Sequence, residues 1–158
     1  MDETYIKVKG QWMYLYRAVD KEGNTVDFMQ SEKRDDAAAR AFFAKVIGSN
    51  GIPHTIIMNK SGANKAGIDT INLHLAMLFM LGRLFLTIYV RQVKYLNNIV
   101  EQEHRVIKKI SKPMKRFKAL HSAAATLTGI ELHHMLRKGQ HQHSANQTIF
   151  DQFYGLAA

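Results

Sequence analysis

The chain has 158 residues, 46% of them apolar and 22% charged, proportions of an ordinary folded domain that exclude wholesale disorder, collagen and a coiled coil. Lys and Arg outnumber Asp and Glu 22 to 13, and the excess is uneven: residues 1–90 carry 11 basic and 9 acidic side chains, whereas residues 91–158 carry 11 and 4. A basic second half points to a polyanion, nucleic acid first, while the absence of cysteine removes disulfides, thiol nucleophiles and thiolate metal sites and suits a reducing cytoplasm.

Met1 is followed at once by Asp2 and Glu3 rather than by a basic segment and an apolar run, so no export signal is expected. Thr4, Ile6 and Val8 alternate with Tyr5, Lys7 and Lys9, and after a turn at Gly10-Gln11 the run Trp12 to Val19 is rich in aromatic and branched residues, which predicts a hairpin. Asp20 to Asn24 supplies a second turn and Thr25 to Met29 a third strand. Trp12 and the tyrosines of the second strand are expected in the core rather than stacked on bases. Asp35 or Asp36 caps a helix carried by alanines 37, 38, 39, 41 and 44 and stopped between Gly48 and Gly51.

His54 to Met58 reads as a strand buried on both faces beside the first three. Ala66 to Met80 reads as a helix and Leu84 to Val90 as a strand; the stretch Leu75 to Val90 is too short to span a membrane, carries Arg83 at its centre and is expected to be buried. Asn97 to Ser111 forms a long helix ending before Pro113, Met114 to Arg137 is helical with an interruption near Gly129, and residues 140–158 are a weakly ordered tail or a docking segment. The layout is α/β, a mixed sheet with flanking helices, in the order found in ribonuclease-H-like domains. Residues 1–139 are expected to form the core and 140–158 the tail.

Two-metal phosphoryl transfer needs carboxylates from separate elements gathered at one sheet edge. Asp2 starts the first strand, residue 59 ends the fourth and Glu101 lies on the long helix. In projection Glu101, Arg105, Lys108 and Lys112 share one side of that helix, and Ile99, Val100, Val106, Ile107 and Ile110 the other. Glu103 faces the apolar side, either supporting the ligands from behind or replacing Glu101 as the acid. Lys94, Arg105, Lys108, Lys109, Lys112, Lys115, Arg116 and Lys118 place eight basic groups within 25 positions, a density suited to phosphate contacts. Other motifs fail: Gly62 and Gly67 have P-loop spacing but Ile68-Asp69 stand where Lys-Ser/Thr is required, and His133-His134 lack the spacing of a zinc site.

The segments Asp2-Glu3-Thr4-Tyr5-Ile6-Lys7-Val8-Lys9-Gly10, Tyr14-Leu15-Tyr16-Arg17-Ala18-Val19-Asp20, Lys94-Tyr95-Leu96-Asn97-Asn98-Ile99-Val100-Glu101 with His104-Arg105, and Thr128-Gly129-Ile130-Glu131 closely resemble bacterial insertion-sequence transposases of the IS-six family. The resemblance implies a retroviral-integrase-like core with an Asp-Asp-Glu triad holding two Mg²⁺ or Mn²⁺ ions. It further implies DNA transposition, with cleavage and strand transfer at insertion-sequence ends, a homo-oligomer, DNA at transposon ends and target as partners, no membrane, and a bacterial cytoplasmic, nucleoid-associated setting.

Carried over, the first catalytic Asp falls on Asp2, the Glu on Glu101 and the following basic residue on Lys108. The second Asp falls on residue 59, where this sequence has Asn59, which offers a neutral carbonyl oxygen in place of a charge. The interval from residue 59 to Glu101 is longer than in the family. Its members carry a helix-turn-helix region ahead of the first catalytic strand, so the resemblance implies a truncated copy with Asp2 at a fraying end. The expectation is impaired catalysis; the alternatives are a non-catalytic DNA-binding or multimerising remnant and a nuclease acting on RNA–DNA hybrids.

Overall fold

A computed structural model describes residues 1–82, 87–93, 98–111, 117, 119–140 and 147–156. β1 (Asp2–Val8), β2 (Gln11–Val19) and β3 (Thr25–Ser31) form an antiparallel meander. The first hairpin turns on Lys9 and Gly10, both with positive φ, the backbone that matches the twist of two-residue hairpins. In the second turn the Asp20 carboxylate accepts the backbone N–H groups of Glu22 and Asn24.

Strand alternation gives the sheet two faces. On one, Asp2, Thr4 and Ile6 stand opposite Arg17, Leu15 and Met13; on the other, Glu3, Tyr5 and Lys7 stand opposite Tyr16, Tyr14 and Trp12. α1 (Asp36–Asn50) is capped by Asp35, which accepts from the Ala38 N–H, and ends at Gly51 with φ 83°. Ser61 caps α2 (Gly62–Met80), four residues ahead of the start read from sequence, because the Ser61 hydroxyl accepts from Asn64 N–H. Tyr16, Ala39, Phe42, Phe43, Met58 and Ile68 form the core between the sheet and these helices. At their crossing the Gly67 backbone lies so close to α1 that an added Cβ would stand 2.9 Å from Ala39 Cβ.

The opposite core joins Ile6, Val8, Met13 and Leu15 to Ile107 of α3 (Asn98–Ser111) and to Ala123, Leu127 and Ile130 of α4 (Leu120–Arg137). The buried line along α3 is Val100, His104 and Ile107. Ile110, assigned to the apolar side from sequence, is exposed, since the helix meets the sheet along a strip narrower than its apolar arc. α4 begins at Leu120, not Met114: Phe117 is extended, bridging Val8, and its carbonyl accepts the Lys9 N–H at 2.8 Å. Residues 114–116 lie outside the described residues. Gly129 does not interrupt α4. In the expected tail, α5 (Ile149–Gly155) starts with a Thr148–Asp151 capping box.

β4 (Thr55–Met58) departs from its expected place. It pairs in parallel with β5 (Tyr89–Gln92) as a separate two-stranded ladder, and its residues are mostly half-exposed. Just ahead of β1, the Met1 amino group donates to the Ile57 carbonyl at 2.8 Å, and Met58 packs into the core with Tyr16. β5 starts five residues later than read, and residues 84–86 lie outside the described residues. The apolar stretch before it is not buried either: Met80 and Leu81 are 87% and 72% exposed, as α2 runs on past the sheet. Trp12, expected in the core, is 61% exposed and packs edge-on against Tyr5 with Lys7 over its ring.

Candidate active site

The strands bring two of the expected residues together. Asp2 is 8% exposed rather than frayed, held because its neighbour Met1 is bonded to β4 and packed in the core. From the end of β4, the Asn59 Nδ2 donates to Asp2 Oδ1 at 3.1 Å. Glu3 points to the other face, where Arg34 Nε and Asn64 Nδ2 donate to its carboxylate at 2.6 and 2.7 Å. Adjacent acids are thereby separated, and Asp2 alone faces α3.

On α3, His104 Nε2 lies 3.9 Å from Asp2 Oδ2. Its 4% exposure follows from spacing: four residues after Val100 and three before Ile107, it sits on the buried stripe. That spacing was the signal in the sequence that it faces inward. Glu101, one turn earlier, is exposed, as are Arg105 and Lys109, with Lys108 half-buried. Glu101 makes no hydrogen bond or ion pair with Asp2 or Asn59 among the described residues. The Glu103 side chain, and Lys94, Lys112, Lys115, Arg116 and Lys118, lie outside the described residues.

Burial, and next the charge of Glu3, push the Asp2 carboxyl up to about 6, against the opposing Asn59 bond. The donor set can be tested for a divalent ion on this geometry. Asn59 turns its N–H to Asp2 where a bound cation would need an oxygen, its Oδ1 is buried without a hydrogen-bond partner, and no three His, Asp or Glu side chains converge among the described residues. As arranged, these residues do not fit a two-ion site: the amide hydrogen stands where positive charge would stand.

Behind the site lies an ion pair that the sequence reading missed. Arg17, opposite Asp2 in the β1–β2 register, donates to Glu131 of α4 and to Thr25, each at 2.8 Å, with both charged side chains fully buried. Burial raises the Glu131 carboxyl and Arg17 pulls it back. The signal was the spacing of Glu131, four residues after the buried Leu127 and next to the buried Ile130, which puts an acid on the inward face of α4.

The fold and these positions define a class. The family model described as a DDE domain matches residues 1–140. The chain is similar to the transposase for insertion sequence-like element IS431mec of Staphylococcus aureus and to that for IS257 in transposon Tn4003 of the same species, each 38% identical over 138 residues, covering 87% of this chain and 57% of the relative. A chain of the simian T-cell lymphotropic virus intasome in complex with PP2A regulatory subunit B56 gamma superposes with a TM-score of 0.55 at 15% identity, over 80% of this chain and 45% of that one. The fold is therefore the ribonuclease-H-like one of retroviral integrases. The chain belongs to the DDE insertion-sequence transposases of the IS-six family, and it spans a little over half the length of the curated relatives it matches. Among the described residues no helix is long and apolar enough to cross a membrane.

Proposed function

We propose that this chain is the core of a DNA transposase, residues 1–139 forming the core and 140–158 a tail, and that as it stands it binds DNA without cutting or joining it. The family's chemistry is phosphoryl transfer at insertion-sequence ends, for which divalent ions stabilise the attacking and leaving oxygens. In this chain Asp2, residue 59 and Glu101 are the positions that would hold them, with Lys108 beside the phosphate. The observation that carries the reading is the Asn59-to-Asp2 hydrogen bond: a neutral amide donor sits where a second carboxylate would draw a cation.

DNA binding is supported by the exposed basic groups of α3. Arg105 and Lys109 lie at its surface beside the half-buried Lys108, two of them in the last turn. Cations on a helix flank contact phosphates without reading bases, so binding is salt-dependent and largely indifferent to sequence. Two members joining in one assembly would then let this chain interfere with intact copies.

The test is fluorescence anisotropy on a labelled duplex across a salt series, alongside nicking and strand transfer by the same protein in Mg²⁺ and Mn²⁺. The reading predicts affinity falling steeply with salt and no cleaved or joined product. Efficient strand transfer by the unaltered chain, or no DNA affinity at low salt, overturns it.

A further inference from the structure

The meander leaves part of one face uncovered at its first hairpin, the far end of β1 from Asp2. Strand alternation puts Tyr5 and Lys7 of β1 opposite Tyr14 and Trp12 of β2, on the face turned away from α3 and α4. α1 covers this face at Tyr16, whose ring centre lies 5.7 Å from that of Phe42, and the half-buried Tyr14 stands at the margin of that core. From Tyr14 toward the Lys9-Gly10 turn the face is open: Tyr5 and Trp12 are 48% and 61% exposed, and Lys7 and Lys9 are exposed beside them.

The three rings form a row. Tyr5 stands between the others, edge-on to Trp12 at 6.2 Å and tilted against Tyr14 at 5.3 Å, and Arg34, itself held by Glu3, donates to the Tyr5 hydroxyl at 3.4 Å. The Lys7 ammonium lies 5.3 Å from the centre of the Trp12 ring. The charges of this face do not cancel. Its acids, Glu3 and Asp27, are engaged by Arg34 and Lys45, whereas Lys7 and Lys9 have no carboxylate partner among the described residues. The open part of the face therefore presents aromatic rings interleaved with uncompensated positive charge.

We propose that this face is a stacking platform for an unpaired stretch of nucleic acid, one base laid on Trp12, its neighbour on Tyr5, and the adjoining phosphates on Lys7 and Lys9. Exposed rings accept any base by its flat face, and cations set among them match a polyanion. A duplex buries its base faces in its own stack and offers only phosphates, so the platform distinguishes single strands from double ones. An acidic peptide would satisfy the lysines and leave the rings uncovered; an apolar partner would cover the rings and strand Lys7 without a counter-charge. The inference does not rest on the DNA-binding reading of α3, which packs on the opposite face of the sheet.

Trp12 is the only tryptophan in the chain, so its fluorescence reports on this face alone. The full chain, in EDTA, is titrated with a ten-nucleotide oligothymidylate and separately with a duplex of the same length. The single strand should quench Trp12 saturably, and the duplex should leave it nearly unchanged. Followed by anisotropy of the labelled oligothymidylate, Trp12→Ala should bind about tenfold more weakly, the loss of one stacked base, and Trp12→Phe should recover most of that affinity; the side chain is exposed, so both variants should melt with the parent. Arg105→Gln with Lys109→Gln should weaken duplex binding and keep the quench, which separates failure of the α3 reading from failure of this one. The proposal is overturned if the single strand does not bind or binds without quenching, if the duplex or a polyglutamate peptide quenches equally, or if Trp12→Ala binds the single strand as the parent does. A fluorescence change that grows with protein concentration alone would also overturn it, assigning the face to a second copy.

Discussion

Replacing Asn59 by Asp tests the electrostatic role assigned to the amide. Two carboxylates in place of the 3.1 Å Asn59–Asp2 contact would repel by about 5 kcal/mol at an effective dielectric of about 20. The pair avoids this by keeping one proton. Its carboxyls then hold a proton that the unfolded chain has lost, so stability falls as pH rises. The Asp2 carboxyl already stands at about 6, so holding that proton at pH 8 costs about 3 kcal/mol, at 1.36 kcal/mol per pH unit. At 2–4 °C per kcal/mol for a chain of this size, Asn59→Asp should melt roughly 6–12 °C lower than the unaltered protein at pH 8 in EDTA. The two should converge near pH 6, and millimolar Mn²⁺ should restore the variant while leaving the parent unmoved. Thermal melts across pH 5.5–8 measure this. Parallel curves between pH 6.5 and 8, or equal Mn²⁺ stabilisation of both proteins, would refute the reasoning.

In the unaltered chain, the raised carboxyl of Asp2 contributes a decline in stability of about 3 kcal/mol between pH 4 and 6, and the buried Met1 amino group, lowered to about 6, contributes an opposing rise between pH 6 and 8; urea midpoints should show both, and Asp2→Asn should remove the first. Removing one member of the buried pair, as Arg17→Met or Glu131→Leu, should cost 3–5 kcal/mol, and the double change less than either single one, because each single change strands a buried charge; a double-mutant cycle by urea denaturation checks it. Gly67→Val should destabilise by roughly 1–3 kcal/mol, since its Cβ would press on Ala39 and the Arg40 backbone with no flexible atom to yield. Neutralising Arg105 and Lys109 together as Gln should reduce the salt slope of DNA binding by about two without changing the melting temperature.

The meander, the Asp35 cap and the long helix from Asn98 were legible because alternation, capping residues and 3.6-residue spacing are local signals. What was not legible depends on where elements meet. Nothing local in Thr55–Met58 tells that the strand pairs with Tyr89–Gln92 rather than laddering with β1. The Leu75–Leu81 run looks like core by composition, yet α2 carries it beyond the sheet. For the site, the resemblance supplied Asp2 and residue 59, and the structure brings them within hydrogen-bond distance. His104 lies on the Val100–Ile107 stripe but is polar, so apolar patterning alone does not pick it out, and Arg17 and Glu131, separated by more than a hundred residues, meet only through the packing of α4 on the meander.

The measurement that bears most directly on the central claim is nicking and joining of labelled DNA in Mg²⁺ and Mn²⁺ by three proteins: the unaltered chain, Asn59→Asp, and Asn59→Asp combined with Glu101→Gln. The account predicts an inert parent, activity gained on restoring the carboxylate, and that gain abolished by the second change. Activity in the parent, or gain in Asn59→Asp that survives Glu101→Gln, would contradict it.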